Sequence, residues 1–180
     1  KQGLVDYASF FNASREKEIS QLVGTKIYIP QHNGKALEII DTTTNTVTTL
    51  TNFFNASRIR RTSQLVGTKI YIPHDNGTAL EIIDTTNNTV TTLTNFFSSS
   101  RIRNTSQLVG TKIYIPQHNG TALEIIDTTT NTVTTLTNFL SSSRNRFTSQ
   151  LVGTKIYIPQ HIALEIIDTT TNTVTTLTNF

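Results

Sequence analysis

Apolar positions along this chain fall in short runs separated by polar, turn-forming residues. Lys26-Ile27-Tyr28-Ile29-Pro30 is a β-branched and aromatic run stopped by a proline. Ala36-Leu37-Glu38-Ile39-Ile40-Asp41 is a second run, and Thr46-Val47-Thr48-Thr49-Leu50-Thr51 is a third. Consecutive β-branched residues lose χ1 freedom in a helix, so these runs predict strands. Asn33-Gly34, between the first two, predicts a two-residue hairpin. Asp41-Thr42-Thr43-Thr44-Asn45 carries side chains that bond the local backbone and predicts the next turn. A fourth strand is expected around Thr62–Val66, ahead of Gly67, running into the Lys69 strand of the next unit.

The same pattern then recurs. Ser-Gln-Leu-Val-Gly-Thr-Lys-Ile-Tyr-Ile-Pro begins at Ser20, Ser63, Ser106 and Ser149, a period of 43 residues. Between Ser20–Asn52 and Ser106–Asn138 a single position differs, Lys35 against Thr121. Variation collects in the connections 53–62, 96–105 and 139–148. A period of this size suits either helical pairs or four-stranded propeller blades, and the strand runs decide for the second. A solenoid fits poorly, because its coils are usually shorter and it does not use consecutive hairpins. The expected fold is therefore all-β: a β-propeller with four repeats, or blades, of four antiparallel strands per chain. One domain or half-propeller spans 1–180, with repeats at 10–52, 53–95, 96–138 and 139–180. Leu4–Ser9 aligns with Val47–Asn52, so 1–9 reads as an extra copy of an outer strand. The fourth unit differs: His161-Ile162-Ala163 lacks the Asn-Gly of the other three.

These residues resemble the YVTN-type propeller repeat. Gly24-Thr25-Lys26-Ile27-Tyr28-Ile29-Pro30 followed by Ala36–Val47 looks like its Tyr-containing strand and its Ile-Asp…Thr-Asn-x-Val segment, and the likeness recurs in all four units. A secondary resemblance is to kelch repeats, through Arg58, Arg101 and Arg144 ahead of the next strand. The chain departs from kelch where Pro30-Gln31 stands in place of a Gly doublet and Val47 in place of a Trp. The YVTN resemblance implies a bacterial or archaeal binding module, extracellular or at the cell surface, with no transferable catalytic site.

Composition narrows the picture modestly. Hydrophobic residues make up 36% and charged ones 15%, the balance being largely Thr, Asn and Ser, so order must come from pattern rather than from apolar total. The net charge of +3 gives weak steering toward polyanions at most. There is no cysteine, which excludes disulfides and thiolate metal sites. No apolar run approaches the roughly 18 residues of a membrane span. The chain opens at Lys1 without a signal peptide, so it reads as processed or cut from something longer. Small residues and modest blade length suit a wide ring, so two chains closing an eight-bladed ring as a homodimer are the expectation, with a four-bladed monomer as the alternative.

Candidate chemistry recurs with the repeat. His32, His118 and His161 occupy equivalent turn positions, and Asp75 stands there in the second unit. Imidazole and carboxylate are metal ligands, but copies spread around a wide ring lie too far apart to share one ion, so exposed turn residues are the preferred reading. Arg58, Arg60, Arg101, Arg103, Arg144 and Arg146 form a repeated Arg-x-Arg in the connections. That motif could bind a polyanion, yet no aromatic platform is interleaved, which argues against nucleic acid. The preferred reading has these arginines bridging blades through carboxylates such as Asp41 or Glu38. Lys26 and Glu38, with their copies, read as cross-strand pairs. Tyr28, Tyr71, Tyr114 and Tyr157 read as filling between blades, and Phe53-Phe54, Phe96-Phe97 and Phe139-Leu140 as core plugs.

No nucleophile–base pair, carboxylate dyad or glycine-rich phosphate loop is present, so no catalytic residue, cofactor or enzyme is expected. The expected function is a non-enzymatic binding or scaffold module with a protein or glycan partner. Two alternatives stand beside it. One is a multivalent lectin with equivalent pockets between blades. The other is an array from recent duplication or design with no specific ligand.

Overall fold

A computed structural model describes residues 15–178. Among these residues there is no helix, and strands group into four separate four-stranded antiparallel sheets. The first sheet joins Gln21–Val23, Lys26–Pro30, Leu37–Asp41 and Thr46–Leu50 in chain order. The second joins Gln64–Val66, Lys69–Pro73, Leu80–Asp84 and Thr89–Leu93. The third and fourth repeat this meander from Gln107–Val109 to Thr132–Leu136 and from Gln150–Val152 to Thr173–Thr178. The extra outer-strand copy expected at 1–9 lies outside the described residues.

Local chemistry explains the strand ends. In the first hairpin of the second sheet, Gly67 takes φ +60 at the first central position, where a type II′ turn excludes a side chain at little cost only for glycine. In the last hairpin of the first sheet, Asp41 Oδ1 accepts from Thr43 N at 2.9 Å and Thr43 Oγ1 at 2.6 Å, while Asn45 adopts φ 54. Those bonds, the hydroxyl of Thr43 foremost, hold the Asp41 carboxyl below its ordinary range.

Two expectations are corrected here. Asn33-Gly34 lies inside the hairpin connection but makes no two-residue turn: the connection runs over 31–36, and Asn33-Gly34 is extended and pairs with Arg58–Ile59 of the next connection. A Cβ at Gly34 would meet the end of the Gln31 side chain at 2.0 Å, so the amide would have to swing aside. The Lys–Glu cross-strand pairs do not form either. The register places Lys26 opposite Asp41 and Ile29 opposite Glu38, and the fourth blade keeps it across a shorter connection, with Lys155 opposite Asp168.

The core lies between sheets. Tyr28, Leu37 and Ile39 of the first sheet meet Ile70, Ile72 and Ile83 of the second, with Phe54 wedged at the junction. The same arrangement joins the second sheet to the third around Phe97, and the third to the fourth around Leu140. Each sheet thus has a forward face (Tyr28 type) and a rear face (Ile70 type). At the three junctions a forward face is sealed by the rear face of the next sheet, as blades that cannot bury their apolar faces alone require. The tyrosine hydroxyls reach across as well: Tyr71 Oη donates to Thr128 O at 3.3 Å.

At one end of each junction the segments before successive first strands touch. Thr62 Oγ1 lies 2.6 Å from Ser106 Oγ, and Thr105 Oγ1 lies 2.7 Å from Ser149 Oγ. Gln64 Nε2 donates to Ser106 O at 2.8 Å, and Gln107 Nε2 to Ser149 O at 2.8 Å. These γ atoms and amides stitch one blade to the next without any apolar contact.

Candidate functional site

The repeated charged residues gather where the loop after the second strand meets the connection to the next blade. Arg60 is fully buried there, and all its donors are satisfied. Its Nε and Nη2 grip Glu81 at 2.6 and 3.0 Å as a fork. Its Nη1 donates to Gln31 O at 2.9 Å and Gly34 O at 2.8 Å in the preceding blade. Nη2 also reaches Ala56 O, and the guanidinium carbon sits 3.8 Å above the Phe54 ring. One side chain therefore ties a loop, a connection and the next sheet together.

Arg103 repeats this arrangement with Glu124, His74 O and Gly77 O, over Phe97. Arg146 repeats it with Glu165, Gln117 O and Gly120 O. The carboxylates occupy the repeat position of Glu38; Asp41 takes no part. Arg60, Arg103 and Arg146 consequently present no surface to a polyanion. Their sequence neighbours lie nearer the rim: Arg58 and Arg101 stand 3.9 and 3.5 Å from Glu81 and Glu124. Arg144 donates to Ser142 Oγ at 2.6 Å. Only these three of the six remain accessible in part.

The turn histidines act as ligaments. His32 N donates to Glu16 O at 2.9 Å, and Arg60 N donates back to His32 O at 3.0 Å. Its ring Nδ1 also lies 3.1 Å from Arg60 O. His118 repeats the pattern between Ile102 and Arg146. Asp75 does it with a carboxylate, its Oδ1 accepting from Arg103 N at 2.8 Å while Oδ2 meets Arg61 Nε at 2.8 Å. His32 and Asp75 are buried rather than exposed, and His118 is half-buried; His161, in the shortened loop, is exposed. Among the described residues no three metal-ligating side chains come together.

Sequence reasoning missed His74, one residue before Asp75. Its Nε2 lies 3.1 Å from Glu81 Oε2, and both groups are buried. Burial pushes the His74 imidazole below its ordinary value, an effect the Glu81 carboxylate only partly offsets. For Glu81, burial raises the carboxyl, but hydrogen bonds from His74 and Arg60 and the Arg60 charge outweigh it, leaving a net downward shift. The signal available was the local order His-Asp where the other units read Gln-His.

Beside this cluster opens a groove of about 280 Å³, lined by Asn33, Ser57, Arg58, His74, Asp75 and Asn76 among others. A second opening of about 450 Å³ lies at the last junction, among Asn145, Phe147, Thr148, Gln160 and His161.

Separate meander sheets sealed face to face are the architecture of a β-propeller, and solved structures agree. The chain matches the extracellular domain of a protein described as a one component system of B. thetaiotaomicron, at TM-score 0.64 and 15% identity, over 83% of this chain and 20% of that one. A second structure of that extracellular domain matches at 0.58 and 16% identity, over 75% of this chain and 18% of the other. The WD40 domain of Neurospora crassa Pan2 matches at 0.64 and 10% identity, over 96% of this chain and 51% of that one. The chain thus spans about half or less of the length of the solved chains it resembles. No family model matches the chain, and no curated protein matches it in sequence.

Proposed function

We propose that the chain is a non-enzymatic binding or scaffold propeller whose partner meets the loop face. One observation carries this reading. Arg60, Arg103 and Arg146 and their glutamates are consumed in holding blades together, whereas Arg61, His74 and Asp75, which differ from the third unit, line or flank one open groove. Arg61, His74 and Asp75 stand where the third unit has Asn104, Gln117 and His118. Asp75 and His74 border the groove, and Arg61 is held on Asp75. Divergence concentrated at a groove between otherwise interchangeable blades fits selection for a contact there.

The YVTN-type resemblance of Ile39–Val47 supports placing this module outside the cell, as does the likeness to an extracellular bacterial domain. A glycan is the second reading, favoured by the groove's size and its Arg, Asp and Asn side chains. A glycan array read together with a panel of chromogenic ester, phosphate and glycoside substrates tests both. Turnover that disappears in Asp75→Asn would contradict the binding reading. Saturable glycan binding that Arg58→Ala abolishes would select the lectin, and silence on the array leaves the protein-partner reading standing.

A further inference from the structure

We infer that the forward face of the fourth blade and the rear face of the first are two halves of one more junction, completed by a second copy of this chain. This inference does not depend on which ligand the loop face takes.

The three internal junctions show what covers such faces. Every forward face present in blades one to three is covered by a rear face of the same repeat. In the fourth blade the same side chains are bare. Val152 is 64% exposed and Leu177 42% exposed, although Val23, Val66 and Val109, and Leu50, Leu93 and Leu136, pack into junctions. Tyr157, Leu164 and Ile166 are only half-buried, whereas Tyr71, Leu80 and Ile82 are buried. On the rear of the first blade, Leu22 is 60% exposed, while its copies Leu65, Leu108 and Leu151 pack into junctions. Ile27 and Ile40 are half-buried where Ile70 and Ile83 are fully buried.

Polar partners are orphaned in the same complementary way. Thr62 and Thr105 each meet the serine of the next unit, but Thr148 is exposed, and so is Ser20, the serine that begins the first repeat. Ile19 occupies the threonine position ahead of Ser20, which is why no bond reaches Ser63 from that site. Gln64 and Gln107 donate across a junction; Gln150 is exposed and, among the described residues, makes no such bond. The surface left open at one end is thus chemically the surface that the other end needs. A head-to-tail contact of this kind closes into a ring only if the rotation allows it. The four blades overlay 51% of the Pan2 WD40 chain, about half of a propeller domain, and two copies of four blades make eight, within the usual range of propellers. The new seam would lack one ligament, because the fourth blade has no Asn-Gly to pair with the incoming connection.

Light scattering on the 180-residue chain should give twice the 20.0 kDa of one copy. Leu22→Asp and Val152→Asp, both at exposed positions, should each return it to a single copy with the β circular-dichroism signature kept. The double variant Ser20→Cys with Thr148→Cys, in a chain that has no cysteine of its own, should oxidise to a covalent dimer. A wild-type chain that stays monomeric overturns the inference. So does a dimer that only one of the two Asp variants dissolves, since like faces would then be paired. Masses of three or more copies, or a disulfide closed within one chain, overturn the two-copy ring.

Discussion

The second and fourth blades carry the same strand sequences and live in different surroundings. Leu80 and Leu164 both follow Ala in a Leu-Glu-Ile-Ile-Asp strand, yet Leu80 is fully buried and Leu164 half-exposed. Burial here is therefore a property of the neighbouring blade, not of local pattern. The difference also separates two kinds of adhesive. Apolar faces fail gradually when a neighbour is missing, whereas the buried arginine is retained at every internal junction. At the first blade Lys17 stands in the Arg60 position, 3.2 Å from Glu38, and an ammonium cannot supply the same fork.

The largest break of this comparison should come from Arg103→Met. It strands Glu124 without its fork, and removing one partner of a buried ion pair costs about 3–5 kcal/mol. Urea denaturation followed by circular dichroism measures this, and Arg101→Ala, nearer the rim, should cost less than about 1 kcal/mol. Equal losses would mean that burial is not what distinguishes the two arginines.

Leu80→Ala comes next, at about 3 kcal/mol for a fully buried leucine. Leu164→Ala should cost less than half as much in the Val152→Asp background, where the forward face stays open. Parity between the two would show that the fourth blade is covered after all. Tyr71→Phe should cost about 1 kcal/mol through the loss of its bond to Thr128, and Tyr157→Phe close to nothing in the same background.

Acidification is the gentlest probe. His74, Glu81 and Glu165 all have folded values below their ordinary ones, for Glu165 because the Arg146 fork outweighs burial. The unfolded chain then takes up more protons as pH falls, so stability present at neutral pH is lost on acidification. Loss begins below about pH 6.5 for His74 and about pH 4.3 for the two glutamates. Urea midpoints from pH 7 to 4 should fall in two phases. His74→Gln, which copies Gln31 and Gln117, should remove only the upper one; a midpoint that rises toward acid contradicts the assignment.

Much of this was legible in the sequence, for physical reasons that also mark where legibility ended. Strand runs and turn residues act locally, so Lys26–Pro30 and Thr46–Leu50 fall where pattern puts them. The wedging of Phe54 and the spanning of Tyr28 follow from side chains too large for one thin sheet. Asn33-Gly34 misled because its partner, Arg58–Ile59, lies in the following connection, and pairing across units leaves no trace in local spacing. The Lys26–Glu38 pairing failed because the matching of apolar positions, Ile27 to Ile40 and Tyr28 to Ile39, fixes register, and the fourth blade keeps that register across a shorter connection. At the loop face, the arginines were visible as a motif, but which of each pair is buried depends on the Glu of a blade about twenty residues further on.

The central claim is that consecutive segments fold as separate sheets held radially side by side. It is tested most directly by Thr105→Cys with Ser149→Cys, whose hydroxyls lie 2.7 Å apart across one junction. With no other cysteine in the chain, mild oxidation should give a single disulfide within one chain, seen as the loss of two hydrogens by mass spectrometry with the β signature unchanged. Thiols that stay free, or that join only between chains, would contradict the side-by-side packing of the third and fourth blades.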